Sequence, residues 1–242
     1  AAAVRAWGSG VRSGRSRCRC DKDDSHYPTI RCALPGHRVA FRGRPTRPEK
    51  LLIVLVLGLL LFLGPHSVRL FADDWRSARI ASMGLGKWKG LYSLVSIVGF
   101  VLIIVGYGMA RASAGMPLWI APAWTRHLAS PLTLVAFILI VAAYVPRSRL
   151  RALVGHPMLL GTALWALAHL LANGGVADLV LFGAFLVWSV AVFAASRRRD
   201  RAEGRERRGT WGSDLTSVVV GTVAWYVFAM YLHVPLIGVR PF

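Results

Sequence analysis

Six stretches of this chain are long and apolar enough to cross a bilayer, and that limits its fold to one class. They cover roughly residues 51–70, 91–110, 129–145, 157–173, 176–195 and 216–237. A helical crossing needs about 20 mostly apolar residues. Hydrocarbon offers no partner to an unpaired backbone N–H or C=O, so such a stretch must bond within itself as a helix. At 55% hydrophobic residues and a mean hydropathy of +0.50, the chain is also too apolar for an ordinary soluble domain. The expected fold is all-α, a polytopic membrane helix bundle of about six transmembrane helices.

The net charge of +19 suggests nucleic acid only if its distribution is ignored. Arg69, Arg76, Arg79, Lys87 and Lys89 follow the first stretch. Arg147, Arg149 and Arg151 precede the fourth. Arg197, Arg198, Arg199, Arg201, Arg205, Arg207 and Arg208 precede the sixth. The alternate connections and the end carry only Arg111, Arg126 and Arg240. Positive charge marks the cytoplasmic side of a membrane protein. The three basic connections are therefore expected on the cytoplasmic side of the membrane, with both ends of the six-span unit outside. Membrane lipid is the expected partner of these arginines, and nucleic acid is not.

Residues 1–50 differ from the rest. They hold all three cysteines (Cys18, Cys20, Cys32), twelve of the thirty Lys and Arg, and no apolar run. They are expected to be either text upstream of a true start near Leu51 or a basic disordered tail. Cys18, Cys20, His26 and Cys32 lack the paired spacing of a structural zinc site.

From residue 51 onward the chemistry narrows to histidine. The membrane unit has no cysteine, and Asp178 is the most deeply placed acid in its spans. That leaves no paired carboxylates for hydrolysis, and no phosphate-binding loop or nucleophile elbow is present. Five histidines remain: His66, His127, His156, His169 and His233. Ionisable groups inside a membrane are costly and point to function, and imidazole is the commonest metal ligand. His127, beside Arg126, reads as interfacial. His156, before Pro157, reads as a helix cap or interface group, and His233 as a hydrogen-bonding partner of a neighbouring helix. His169 lies within an apolar run and is the strongest ligand candidate. A b-type haem needs axial groups on facing helices and an apolar pocket, which Trp165, Trp188, Trp225 and Tyr226 could line. Arg69 falls one turn after His66 and could clamp a propionate or lipid phosphate, unless Asp73 or Asp74 holds it. Gly64-Pro65 is expected to loosen the first helix. Gly183 and Ala184 are expected to allow close helix contact.

At these residues the text resembles the NnrU family of bacterial membrane proteins. The resemblance is carried by LGPHSVRLFADDWR, GKWKGLYSLVS, PAWTRHLA, VAAYVPRSRLRALVGHPMLLGTALWALAHLLANG, VLFGAFLVWS and LIGVRPF, across roughly residues 51–242. It implies an association with nitrite and nitric oxide reduction, with a respiratory or nitrogen-oxide reductase as possible partner. The family also contains the plant 15-cis-zeta-carotene isomerase, a haem b enzyme. Its ligand histidines fall by resemblance on His66 and His169 as metal ligands; Arg69 and His156 are further cofactor-binding candidates from their position relative to His66, not from the resemblance. The position three before His169 is Ala166 rather than the cysteine of the plant motif.

The drawn spans put His66 roughly 6 Å and His169 roughly 20 Å from the basic side, at about 1.5 Å per residue. Ligands of one iron need similar depth, so either the first helix runs past Leu70 or His156 replaces His169 as the partner of His66. Three other readings stand beside a haem protein of nitrogen-oxide reduction. One is a polyene isomerase. Another is a non-catalytic accessory subunit. The third is a lipid methyltransferase, suggested by HPMLLG although Gly155 and Leu159 replace the Arg and Tyr of that motif.

Overall fold

The computed structural model describes residues 18–21, 29–32, 48–113, 117–204, 209–239 and 241. The chain divides into two units, Ala1–Pro45 and Thr46–Phe242. In the first, β1 (Cys18–Asp21) and β2 (Thr29–Cys32) pair antiparallel, with Cys18 opposite Cys32. His26 and the side chains of the three cysteines lie outside the described residues.

The second unit is a helix bundle. Its elements are α1 (Pro48–Phe71), α2 (Asp73–Met83), α3 (Leu85–Ala112), α4 (Ala123–Ala142), α5 (Arg149–Val154), α6 (Pro157–Ala172), α7 (Val176–Ala202) and α8 (Trp211–Val227). A π turn (Phe228–Leu232) joins α8 to α9 (His233–Ile237). Five helical segments are long and apolar enough to cross a membrane: Lys50–Phe71, Leu85–Ala112, Ala123–Ala142, Val176–Ala202 and Trp211–Ile237. The remaining expected crossing, α6, has only 16 residues, or about 24 Å, against a hydrocarbon core of about 30 Å. His156-Pro157 starts it late and Asn173-Gly174-Gly175 stops it early. Both α4 and α7 pack against it.

Helix contacts run in the order α3, α1, α7, α6, α4, α8. The tightest is α1 against α3. A Cβ on Gly58 would stand 2.7 Å from the Ile103 nitrogen, one on Gly99 2.6 Å from that of Phe62, and one on Gly106 2.5 Å from that of Leu55. Only glycine permits this backbone-to-backbone approach, the usual basis of helix association without a hydrophobic driving force. Gly161 against Ala136 and Gly221 against Ile138 do the same for α6 and α8 on α4. Gly183 does not: the nearest group to a Cβ there is Leu179 of its own helix. Ala184 packs against the buried cluster.

The buried cluster is Leu51, Leu55 and Leu59 of α1, Ile103, Tyr107 and Ala110 of α3, Ala166 of α6, and Ala177, Leu181 and Phe182 of α7. It occupies the end of the bundle where α1 begins. Large apolar side chains instead cover the outside, with Leu60 64%, Ile97 61% and Val187 71% exposed. So much exposed apolar surface fits lipid rather than water. The opposite end, which carries the basic connections, has fewer buried apolar groups and opens into clefts.

The helix α1 passes through Pro65 to Phe71 without a break. Just after the proline the side chains turn back on the helix. Ser67 Oγ donates to the Leu63 carbonyl (2.7 Å), and His66 Nδ1 lies 2.6 Å from that of Phe62. The helix α2 has no buried residue, as expected of an interfacial segment.

Candidate functional site

Because α1 continues, His66 and Arg69 share one face of it. Both line a cleft of about 210 Å³ at the basic end, with Leu70, His156, Val192, Ser196, Arg199, Asp200 and Glu203. The cleft wall is the last turns of α1 and α7 and the start of α6. His156 is the N-cap residue of α6 but its side chain caps nothing. Instead its Nε2 lies 3.0 Å from the buried Asp200 carboxylate. Gly155 makes this possible: its φ of +83° turns the chain from α5 into α6, and a Cβ there would meet the Arg197 side chain. A left-handed backbone beside a packed guanidinium admits no other residue easily.

His66 sits in an aromatic cage. Phe62 stacks on it at 4.5 Å, Tyr92 tilts against it at 5.1 Å, and Trp188 meets it edge-on at 6.1 Å. The Trp188 indole N–H is held in turn by Ser67 Oγ, 3.0 Å away. When His66 Nδ1 carries its proton and donates it to the Phe62 carbonyl, Nε2 is left as the lone pair. A metal-binding histidine usually donates its other ring N–H in this way. Among the described residues, no group hydrogen-bonds His66 Nε2.

His169 repeats the local device elsewhere. Its Nδ1 lies 2.8 Å from the Trp165 carbonyl, and its ring stacks on Phe182 at 4.6 Å. The structure does not bring it to His66. The ring contacts from one to the other run through Phe62, Phe185 and Trp165, at 5.9 and 5.6 Å between successive rings. On α7, His66 meets Trp188 while His169 meets Phe182, a separation of about 9 Å along the helix. A haem between these two imidazoles does not fit this packing, because aromatic side chains fill the intervening space. His66 on its own has the donor chemistry of a haem ligand: Nδ1 faces a carbonyl, Nε2 is left for a metal, the ring is caged by aromatic groups, and Arg69 and Arg199 line the same cleft. Among the described residues, no group of three or more His, Cys, Asp or Glu is placed to hold a bare metal ion.

The other expectations divide. Trp165 and Trp188 do lie beside the candidate histidines. Trp225 instead donates to Thr133 Oγ1 (3.0 Å), and Tyr226 is about half exposed. His233 bonds the Val239 carbonyl of its own terminal turn (2.7 Å) rather than a neighbouring helix. His127 is exposed in the second turn of α4. Arg69 approaches Asp73 only loosely, at 3.8 Å. Asp200, Ser196 and Tyr92 were not singled out from sequence. Asp200 ends the run RRRD, where a lone acid reads as a counterion.

At the far end of the bundle, Tyr107 donates to Asp178 Oδ1 (2.6 Å) and Arg111 donates to the Tyr107 hydroxyl (2.9 Å). Asp178 Oδ2 accepts from the Gly175 N–H (3.0 Å). This satisfied network ties α3 to α7 and to the α6–α7 link, and is structural.

No curated protein and no solved structure matches this chain. One family model, described as NnrU protein, matches residues 54–241. That span contains α2 to α9, the last three-quarters of α1, and every residue of the His66 cleft, so this chain is a member of the NnrU family.

Proposed function

We propose that this protein crosses a bacterial cytoplasmic membrane six times, serves nitrite and nitric oxide reduction, and holds one haem b at its basic end. The observation that carries the reading is the state of His66: Nδ1 tied to a backbone carbonyl, Nε2 open, and a ring caged by Phe62, Tyr92 and Trp188 beside two arginines. His66 would ligate the iron through Nε2, and Arg69 and Arg199 would pair with the propionates. A bound haem supplies a one-electron redox centre. The chain's own residues would orient the His66 ring through its Nδ1 bond to the Phe62 carbonyl, pack against its faces, and offset carboxylate charge at the cleft. His156, fixed by Asp200, forms the far wall of the same cleft.

The test is a spectrum of the purified protein, oxidised and dithionite-reduced, with a pyridine haemochrome assay. Near-stoichiometric haem b is expected, lost in His66→Ala and kept in His169→Ala. Loss in His169→Ala with retention in His66→Ala would overturn the assignment. A second reading, an accessory subunit without cofactor, draws support from cleft volume. The two clefts at His66, about 210 and 290 Å³, lie below the usual range of about 300–1,000 Å³ for ligand pockets. It expects no haem and co-purification with a reductase.

The six-crossing topology has its own check. With Cys18, Cys20 and Cys32 changed to serine, Ile120→Cys should react with a membrane-impermeant maleimide on intact spheroplasts. Ala202→Cys should react only after lysis. The reverse pattern would invert the proposed orientation.

A further inference from the structure

A second cleft, of about 290 Å³, opens on the other side of His66 between the end of α1, the surface helix α2 and the start of α3. It is lined by Pro65, His66, Arg69, Arg76, Leu85, Trp88, Lys89 and Tyr92. The lining has two characters. Arg69, Arg76 and Lys89 bring three cations to one mouth, while Pro65, Leu85, Trp88 and Tyr92 make an apolar and aromatic floor.

The cations are not used up by the fold. One carboxylate, Asp73, serves both arginines, at 3.8 Å from Arg69 and 3.6 Å from Arg76. Both distances exceed the roughly 2.7–2.9 Å of a charge-assisted hydrogen bond. Lys89 has no carboxylate within ion-pair range among the described residues. The mouth therefore keeps an excess of about two positive charges.

The surroundings are those of a membrane interface. Trp75 meets Trp88 edge-on at 5.8 Å, and the Arg79 guanidinium lies 5.6 Å from the Trp75 ring. Phe71 is 82% exposed, on the last turn of α1. Tryptophan favours the headgroup level. Beyond the cleft, exposed apolar residues such as Leu60, Leu94 and Ile97 continue along α1 and α3.

We propose that this cleft is a binding site for the phosphate of an anionic phospholipid. The phosphodiester sits between Arg76 and Lys89, leaving Arg69 to the neighbouring cleft, and the acyl chains lie along the apolar outer faces of α1 and α3. A free phosphate ion shares the charge chemistry but has nothing to place on the apolar floor.

The full chain, purified in a non-ionic detergent, would be titrated with phosphatidylglycerol, phosphatidylcholine and inorganic phosphate, with bound lipid counted by native mass spectrometry. Phosphatidylglycerol is expected to bind in preference to phosphatidylcholine. Arg76→Gln/Lys89→Gln should weaken it about tenfold or more, since each cation near a charged lipid surface contributes about 1 kcal/mol. Arg198→Gln/Arg201→Gln removes two exposed cations elsewhere at the same end and should leave it unchanged. Co-elution of all variants with the parent in size-exclusion chromatography checks folding. An equal loss in both double variants would reduce the effect to general surface charge and overturn the site. Displacement of the lipid by millimolar inorganic phosphate would overturn the lipid as its ligand.

Discussion

Gly106→Leu should leave no folded protein in the membrane. Its Cβ would stand 2.5 Å from the Leu55 nitrogen and 2.8 Å from the Leu55 Cα. Those are backbone atoms of α1, which have no rotamer to escape into. Overpacking against movable side chains costs about 1–3 kcal/mol. Against a backbone the two helices must separate, and the Gly58 and Gly99 contacts are lost with them, so a larger penalty is expected. Gly108→Leu is the internal control: it lies on the same helix, and a Cβ there meets nothing within 4 Å. The measurement is the yield of monodisperse protein after detergent extraction. Equal yields for the two variants would show that the α1–α3 contact is not as tight as described.

Asp178→Ala should be the most damaging loss of a polar group. The carboxylate is 6% exposed and holds the Tyr107 hydroxyl and the Gly175 N–H at once. Removing it leaves the buried Tyr107 hydroxyl and the half-buried Gly175 N–H without an acceptor, at about 1–3 kcal/mol for a fully buried orphan and less for the second. The ion pair with Arg111 adds little, because it is 4.0 Å long and Arg111 is about one-third exposed. Asp178→Asn keeps an acceptor at the same position and should cost clearly less. Asp73→Ala, which removes an exposed and loosely paired carboxylate, should change stability by no more than about 1 kcal/mol. Thermal midpoints in one detergent rank the three variants. A midpoint for Asp178→Ala within 2 °C of the parent would remove this network from the forces holding α3 to α7.

Much of the architecture was legible in the chain. The apolar lengths identified the helices, and their boundaries erred mainly by being too short. The helices α3, α4 and α7 extend into flanking residues such as Lys87, Arg126 and Arg199, where charged side chains reach water while the backbone remains helical. The proline in α1 was misread as a loosening point. Side-chain bonds from His66 and Ser67 to carbonyls of the preceding turn lie beside it. The helix therefore carries Arg69 round to the face of His66. The close-contact glycines were misplaced for another reason. Gly183 looks like Gly99 in the text, but only the partner helix decides which of them is approached.

The candidate site divides the same way. Each of its imidazoles was visible as a costly group in an apolar setting, and the depth argument already set His66 apart from His169. The chain by itself determined a membrane bundle, its basic end and its short list of histidines, because a bilayer constrains each segment's length and charge one at a time. Which histidines meet was decided only by tertiary structure. A bilayer sets how deep a residue lies, but not which helix stands beside it. Here the glycine contacts bind α1 to α3 and the ring stack sets α7 between α1 and α6. That order puts His66 with His156 and Asp200, and leaves His169 on the far side of the aromatic stack.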